Sequence, residues 1–108
     1  MIHKELAKER WGKMSLAEQM GNIGSEVDRA VGWMKKNNKE YADNAFIRAL
    51  ELLDLTVADA RWSRGRKELA RVREIIKDVF WGDNEYNIPM EWFQKYFFQF
   101  ALSARRGR

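Results

Sequence analysis

The chain has 108 residues, a net charge of +4, a single histidine and no cysteine. This length fits one domain with a single core, and 45% hydrophobic and 13% aromatic residues are typical of a packed protein. The absence of cysteine excludes disulfides and thiolate metal sites. No apolar run reaches the roughly 20 residues that cross a bilayer, and the N-terminus lacks the apolar core of a signal peptide. We therefore expect a soluble cytoplasmic protein that does not enter membranes.

The first predicted helix begins at Ser15, because Ser15 and Glu18 have the spacing of a capping box. Apolar residues then recur every three or four positions and form one helical stripe. The stripe consists of Leu16, Met20, Ile23, Val27, Ala30 and Met34. Glycines at 21, 24 and 32 each cost about 1 kcal/mol of helix stability, so we expect a neighbouring helix to approach closely. Residues 1–14 are expected to form a short extra helix or a flexible arm.

The second helix is predicted from Glu40 to Ala60, after the break "NNK" at 37–39. The short turn predicts that these two helices form an antiparallel hairpin. The apolar face of the second helix comprises Ala42, Ala45, Phe46, Ala49, Leu52, Leu53, Thr56 and Val57.

The third and fourth helices are predicted over Lys67–Trp81 and Met90–Arg105. They are separated from each other by "GDNEYNIP", in which Pro89 suits the first helical turn. The predicted inward face of the third helix comprises Leu69, Val72, Ile75, Ile76, Val79 and Phe80. That of the fourth helix comprises Phe93, Tyr96, Phe97, Phe100, Ala101 and Ala104. Phe98 lies off the stripe and is predicted to be exposed, and 105–108 form a basic tail. The whole chain, 1–108, is thus predicted to be an all-α single domain, an antiparallel four-helix up-down bundle.

Segments of this sequence resemble two known groups of helical proteins. "YADNAFIRAL" is similar to the second helix of a tetratricopeptide repeat, with Ala42, Phe46 and Ala49 at the repeat's spacing. The segments "GNIGSEVDRA", "ALELLDLTVADAR", "GDNEY" and "YFFQFALSAR" resemble a group of small prokaryotic helical proteins whose shape is similar to HEPN bundles. HEPN ribonucleases use an arginine followed a few residues later by histidine. His3 has no arginine before it, so the resemblance implies no catalytic residue here.

Enzymatic sites have little support in the residue pattern. A di-iron bundle requires Glu-x-x-His pairs, which a single histidine cannot supply, and the serines have no histidine nearby in sequence. Glu51 and Asp54 form the second half of the Mg²⁺-binding pattern of MazG-type nucleotide hydrolases, but the first half is absent. We therefore expect a non-enzymatic protein without cofactors, and keep a Mg²⁺-dependent hydrolase as a minor alternative.

A basic segment at 61–73 is the candidate binding site. Residues 61–108 carry 11 basic and 6 acidic side chains, a net +5, whereas residues 1–60 carry 9 and 10. Arginines beside an indole can bind phosphate and stack on bases. Alternatively, the arginines pair with Asp54, Asp59 and Glu74 on the protein's own surface. The candidate anion- or partner-binding residues are Arg61, Trp62, Arg64, Arg66, Lys67, Arg71 and Trp81.

Five tryptophans are many for this length, and Trp11, Trp62 and Trp81 fall in or beside predicted breaks. Exposed indoles next to arginines are typical of protein-binding surfaces. The predicted function is therefore protein–protein interaction or self-association, such as a homodimer. The expected effect of Trp62→Ala is an intact fold with weaker association. The alternative is a nucleic-acid-binding accessory protein that uses the basic segment.

Overall fold

The computed structural model describes residues 4–85 and 87–106, and this part of the chain is all-helical, without a strand. Within these residues, four long helices and two short ones follow each other. They are α1 (Lys4–Gly12), α2 (Leu16–Lys35), α3 (Lys39–Val57), a 3₁₀ helix (Ala60–Gly65), α4 (Arg66–Trp81) and α5 (Glu91–Arg106). The predicted all-α class is confirmed, and 4–12 form a helix. His3 and the last two residues of the basic tail, 107 and 108, lie outside the described residues.

The helix ends follow local hydrogen bonds. At the start of α2 the backbone N–H of Glu18 donates to the Ser15 hydroxyl at 3.1 Å, and the Ser15 N–H donates to the Glu18 carboxylate at 3.2 Å. The predicted capping box is therefore confirmed. Helix α3 ends at Val57, earlier than the predicted Ala60, because Asp59 caps the following 3₁₀ helix by accepting from the Arg61 N–H. The segment 61–66, which lies between the predicted second and third helices, is thus mostly 3₁₀ helix.

Helices α2 and α3 pack side by side in opposite directions. Near their connection the rings of Trp33 and Tyr41 meet at 4.8 Å. Half-way along, Arg48 donates to Glu26 at 2.9 Å. At the far end Gln19 of α2 lies 3.4 Å from the Asp59 carboxylate, just beyond α3. These three contacts fix the antiparallel register of the pair.

Helix α4 packs on α3, and α5 packs on α2. The core between them is apolar and contains Met20, Ile23, Val27, Ala45, Phe46, Leu53, Ile76 and Phe93. The rings of Phe46 and Phe80 lie 3.6 Å apart, and those of Phe80 and Phe93 lie 5.2 Å apart, so aromatic contacts connect α3, α4 and α5. The interior positions of Phe93 and Phe97 and the exposure of Phe98 agree with prediction. Met34, predicted to extend the stripe of α2, is exposed near the helix end.

Candidate functional site

The seven predicted site residues do not form one compact site. Trp62 precedes α4 and Trp81 ends it. A helix rises 1.5 Å per residue, so the 16 residues of α4 separate the two indoles by about 24 Å along its axis. Any partner that meets both must span the whole helix. The two ends of α4 are therefore separate candidate sites.

Trp62 is part of an internal hydrogen-bond network. It is half-buried, and its indole nitrogen donates to Oε1 of Gln19 at 2.9 Å. The amide nitrogen of Gln19, which is fully buried, donates to the backbone carbonyl of Trp11 at 2.7 Å. The Trp11 indole in turn donates to the Thr56 hydroxyl at 2.9 Å. Trp62 and Trp11 thus serve the monomer's own packing, and their position beside chain breaks does not make them free surface groups.

Sequence reasoning missed Gln19 and Thr56 as partners of these indoles. Gln19 stands next to Met20 in the apolar stripe of α2, and Thr56 was included only as a small member of the α3 face. A polar residue inside an apolar stripe signals a buried hydrogen-bond partner. The sequence does not show which donor supplies it, because Trp62 is 43 residues away from Gln19.

Arg61 lies near Trp62 and is bound by other residues of the protein. Its guanidinium donates to both carboxylate oxygens of Asp59, at 2.7 Å for the shortest distance, and to the Met14 carbonyl at 2.9 Å. It also lies 4.4 Å from the Trp62 ring. The hydrogen bond from Arg61 lowers the pKa of Asp59 from 3.8 to about 2. The Arg61 guanidinium is therefore already engaged in intramolecular contacts that stabilise the fold.

Two further arginines of the basic segment have internal partners. Arg66 donates to the Val57 carbonyl at 3.0 Å. Arg73 donates to Asp54 at 2.6 Å and lies 3.6 Å from Glu74. The alternative expectation, in which the arginines pair with Asp54, Asp59 and Glu74, thus holds for Arg61 and Arg73.

Three cations remain available on α4 and just before it. Arg64, Lys67 and Arg71 are exposed, and among the residues that the structure describes none of them has a hydrogen-bond or ion-pair partner. Lys67 and Arg71 are four residues apart and share one side of α4, and Arg64 lies just before them in the 3₁₀ helix. This side of the basic segment is a positive stripe open to solvent.

Trp81 lies at the opposite end of α4 and is 43% exposed. Its indole donates to Asp43 of α3 at 3.0 Å, and its ring contacts Phe46 edge-on at 5.8 Å. This hydrogen bond is the main cause of a lowered pKa of Asp43. A neighbouring cavity of about 270 Å³ is lined by Met34, Phe46 and Phe80 and also by the polar residues Asn37, Lys39 and Asp43. Trp81 remains an accessible indole near a small opening of mixed polarity.

A larger groove, of about 420 Å³, lies between α2 and α5 and was not predicted. Its lining includes two glycines of α2, Gly21 and Gly24, together with Phe97 and Phe98 of α5. A Cβ on Gly24 would stand 2.6 Å from the Cβ of Phe97, whereas a Cβ on Gly21 would meet nothing within 4 Å. The helices thus touch at Gly24, and the groove opens beside Gly21. The only sequence signal was the expected close approach at the glycines, which holds for Gly24 and not for Gly21 or Gly32.

One acid and one base line the groove, Asp28 of α2 and Lys95 of α5. Partial burial raises the pKa of Asp28. Neither side chain has an ion-pair or hydrogen-bond partner within the described ranges. Phe98, which lines the groove, is 59% exposed, and Leu102, one helical turn further along α5, is 36% exposed. The result is an apolar opening with unpaired charges of both signs.

Metal chemistry gains no support from the described part of the chain, where no three His, Asp or Glu side chains come together. Asp54 of the predicted Mg²⁺ half-motif is bound to Arg73. None of the described helices is both long and apolar enough to cross a membrane. Comparisons with protein-family models, with curated proteins and with solved structures give no match. The resemblances to HEPN bundles and to a tetratricopeptide hairpin therefore stay predictions.

Proposed function

We propose that this protein is a non-enzymatic helical module whose function is association with other protein chains. The observation that carries the proposal is the exposure of Phe98, a large aromatic side chain that is 59% exposed beside an open groove. An aromatic side chain of this kind gains about 2 kcal/mol or more when a partner buries it. Leu102, one turn further along α5, extends the same surface.

This proposal moves the predicted binding surface from Trp62 to α5. Trp62 is half-buried, and its indole donor is used by Gln19. Trp81 keeps an exposed ring, but the adjacent cavity is smaller than the α2–α5 groove. The surface formed by Phe98, Leu102 and the groove, here called the α5 face, is the larger opening.

A photo-crosslinking experiment in living cells tests the proposal. A photoreactive phenylalanine analogue is introduced at position 98 or 102, and a control carries it at Asn44, an exposed residue of α3. We expect discrete protein adducts from 98 and 102 and none from 44. Absence of protein adducts at 98 and 102, or the same adducts at 44, would contradict a binding role for the α5 face.

Nucleic-acid binding is the second candidate, and the unpaired stripe of Arg64, Lys67 and Arg71 favours it. Residues 105 and 106 of α5 add two cations in its last turn. Phosphate contacts release counterions, so affinity for single-stranded RNA should fall steeply with salt. The test is a fluorescence-anisotropy titration with labelled RNA over a salt series.

A charge-matched control makes this test specific. The triple glutamine variant of Arg64, Lys67 and Arg71 should abolish most of the binding and reduce the salt slope by about 0.7 for each phosphate that the protein no longer neutralises. Glutamine substitutions of Lys8, Lys35 and Lys36, which are exposed residues outside α4, remove the same charge elsewhere. Equal weakening in both variants, or no binding at low salt, would reject a site on α4.

We further propose an up-down order for the four long helices and a cytoplasmic location. The antiparallel contacts of α2 with α3, and those of α3 with α4 through Asp54–Arg73 and Asp43–Trp81, support this order. The absence of cysteine supports a reducing compartment. The burial of Ala42, Phe46 and Ala49 is compatible with the resemblance to tetratricopeptide hairpin packing.

A further inference from the structure

We infer that the partner of the α5 face is a second copy of this chain, bound about a two-fold axis so that each Phe98 enters the other's α2–α5 groove. This inference rests on the proposed function and names the partner of the same surface. The shape and the charge of the groove both support it.

The surface is self-complementary in shape because the exposed Phe98 and the groove that would receive it lie on the same face of the molecule. Phe98 is exposed on α5 at the edge of the groove, and the lining of the groove includes three residues with small or absent side chains, Gly21, Gly24 and Ala101. The position where Gly21 would carry a Cβ is open, because no described atom other than those of its chain neighbours and the adjacent backbone of α2 lies within 4 Å. A two-fold interface brings the same patch of both subunits together, so it requires such a pair of features on one surface.

The charged residues of the groove are also complementary to each other, as a two-fold interface requires. Asp28 and Lys95 line the groove together, and in the described structure each lacks an ion-pair partner. A two-fold axis that passes midway between these two side chains would place Asp28 of each chain against Lys95 of the other, giving two equivalent pairs. The groove is also locally neutral, so two copies of a chain with net charge +4 can meet there without concentrating like charge.

A polyanion or a lipid surface fits this groove less well than a second copy does. Both of those ligands select uniformly cationic surfaces, whereas the groove contains one acidic and one basic side chain, Asp28 and Lys95. The cations suited to such ligands lie elsewhere, along Arg64, Lys67 and Arg71.

The test is sedimentation of the 12.8 kDa chain from low to high micromolar concentration. We expect a dimer for the wild type and a dissociation constant raised about 30-fold or more by Phe98→Ser. Ile47→Ser, which removes an exposed apolar side chain from α3, serves as the control and should leave the dimer unchanged. Circular dichroism checks that each variant is folded.

Charge reversal provides an independent measurement. Asp28→Lys and Lys95→Asp should each weaken the dimer about 10-fold, and the double variant should restore most of the affinity because both pairs reform with opposite polarity. A monomeric wild type, an unchanged dimer in Phe98→Ser, or a double variant weaker than both singles would overturn the inference. A monomeric wild type that still forms heterologous adducts at position 98 would overturn only the second-copy partner. A monomer without adducts would end the proposed function as well.

Discussion

Trp11 and Thr56 are 45 residues apart in sequence, yet the indole of Trp11 donates a 2.9 Å hydrogen bond to the Thr56 hydroxyl. The Thr56 hydroxyl in turn donates to the Leu52 carbonyl at 3.2 Å. Trp11 is 6% exposed, so its ring is part of the core. This hydrogen bond attaches the last turn of α1 to α3, and it explains why the segment before α2 includes a docked helix.

Trp62→Phe is expected to lower the free energy of unfolding by about 1–3 kcal/mol. The substitution leaves Oε1 of the buried Gln19 without its donor, which costs the desolvation penalty of that oxygen. Trp62→Ala should cost more, since packing is also removed, in contrast to the sequence-based expectation of an intact fold. Urea unfolding followed by circular dichroism measures both effects.

The matched control for that experiment is Trp81→Phe. Its indole donates to Asp43, whose carboxylate water can reach, so the decrease in stability should stay within about 0.5 kcal/mol. A decrease for Trp62→Phe that also stays within about 0.5 kcal/mol would show that the Gln19 hydrogen bonds do not stabilise the fold.

Gly24→Ala and Gly32→Ala are expected to act in opposite directions. A methyl group at 24 would lie 2.6 Å from the Phe97 Cβ, so α2 and α5 must separate, at a net cost of about 1–2 kcal/mol. At 32 nothing lies within 4 Å, and alanine should stabilise the helix by about 0.5–1 kcal/mol. Thermal unfolding of both variants measures this, and a Gly24→Ala variant that is as stable as the wild type or more stable would refute the close approach.

The parts of the fold that depend on residues close together in sequence could be predicted. The capping box at Ser15 and Glu18, the spacing through Ile23 and Val27, and the alternation that buries Phe93 and Phe97 but exposes Phe98 all depend on neighbours within one or two turns. The end of α3 was placed too late because the Asp59 side chain starts a new helix there. That carboxylate was interpreted as one of the partners of nearby arginines, not as a cap.

The site was less predictable because it depends on pairs that are distant in sequence. Nothing near Trp62 indicates that its donor is taken by Gln19, and nothing near Gly21 indicates that α5 leaves a groove there. The arginine pairing was foreseen as an alternative because Asp54, Asp59 and Glu74 are close to the basic segment in sequence. The separation of Trp62 from Trp81 follows from helix length alone, so it was predictable from the sequence.

Asp59 should make the fold sensitive to acid. Its pKa is lowered from 3.8 to about 2 by the hydrogen bond from Arg61. A group with a lowered folded pKa contributes stability that is complete above its unfolded pKa of 3.8 and is lost as the pH falls toward 2. We expect a contribution of about 1 kcal/mol after solvent screening.

The measurement is urea unfolding at a series of pH values between neutral and acidic. Asp59→Asn should be less stable than the wild type at neutral pH, and the gap should close as the pH approaches 2. A gap that is the same at both ends of the series would contradict an ionic contribution from Asp59.

Tyr96 should make the fold sensitive to alkali. Its hydroxyl is buried and makes no hydrogen bond of normal geometry. Burial, with a smaller contribution from the nearby Glu68 carboxylate, raises its pKa above 10.0. A raised folded pKa means that the neutral phenol is favoured in the fold, so stability is complete below the unfolded pKa and declines as the pH rises beyond it.

Tyr96→Phe tests this directly. At neutral pH the variant should be as stable as the wild type or up to about 1 kcal/mol more stable, because the deleted hydroxyl was unsatisfied. At alkaline pH its advantage should grow, since no buried phenol has to ionise. Tyr41→Phe, at a position that is 49% exposed, should decline in alkali as the wild type does. A parallel alkaline decline of wild type and Tyr96→Phe would show that the buried hydroxyl does not control it, because only the wild type keeps a phenol at position 96.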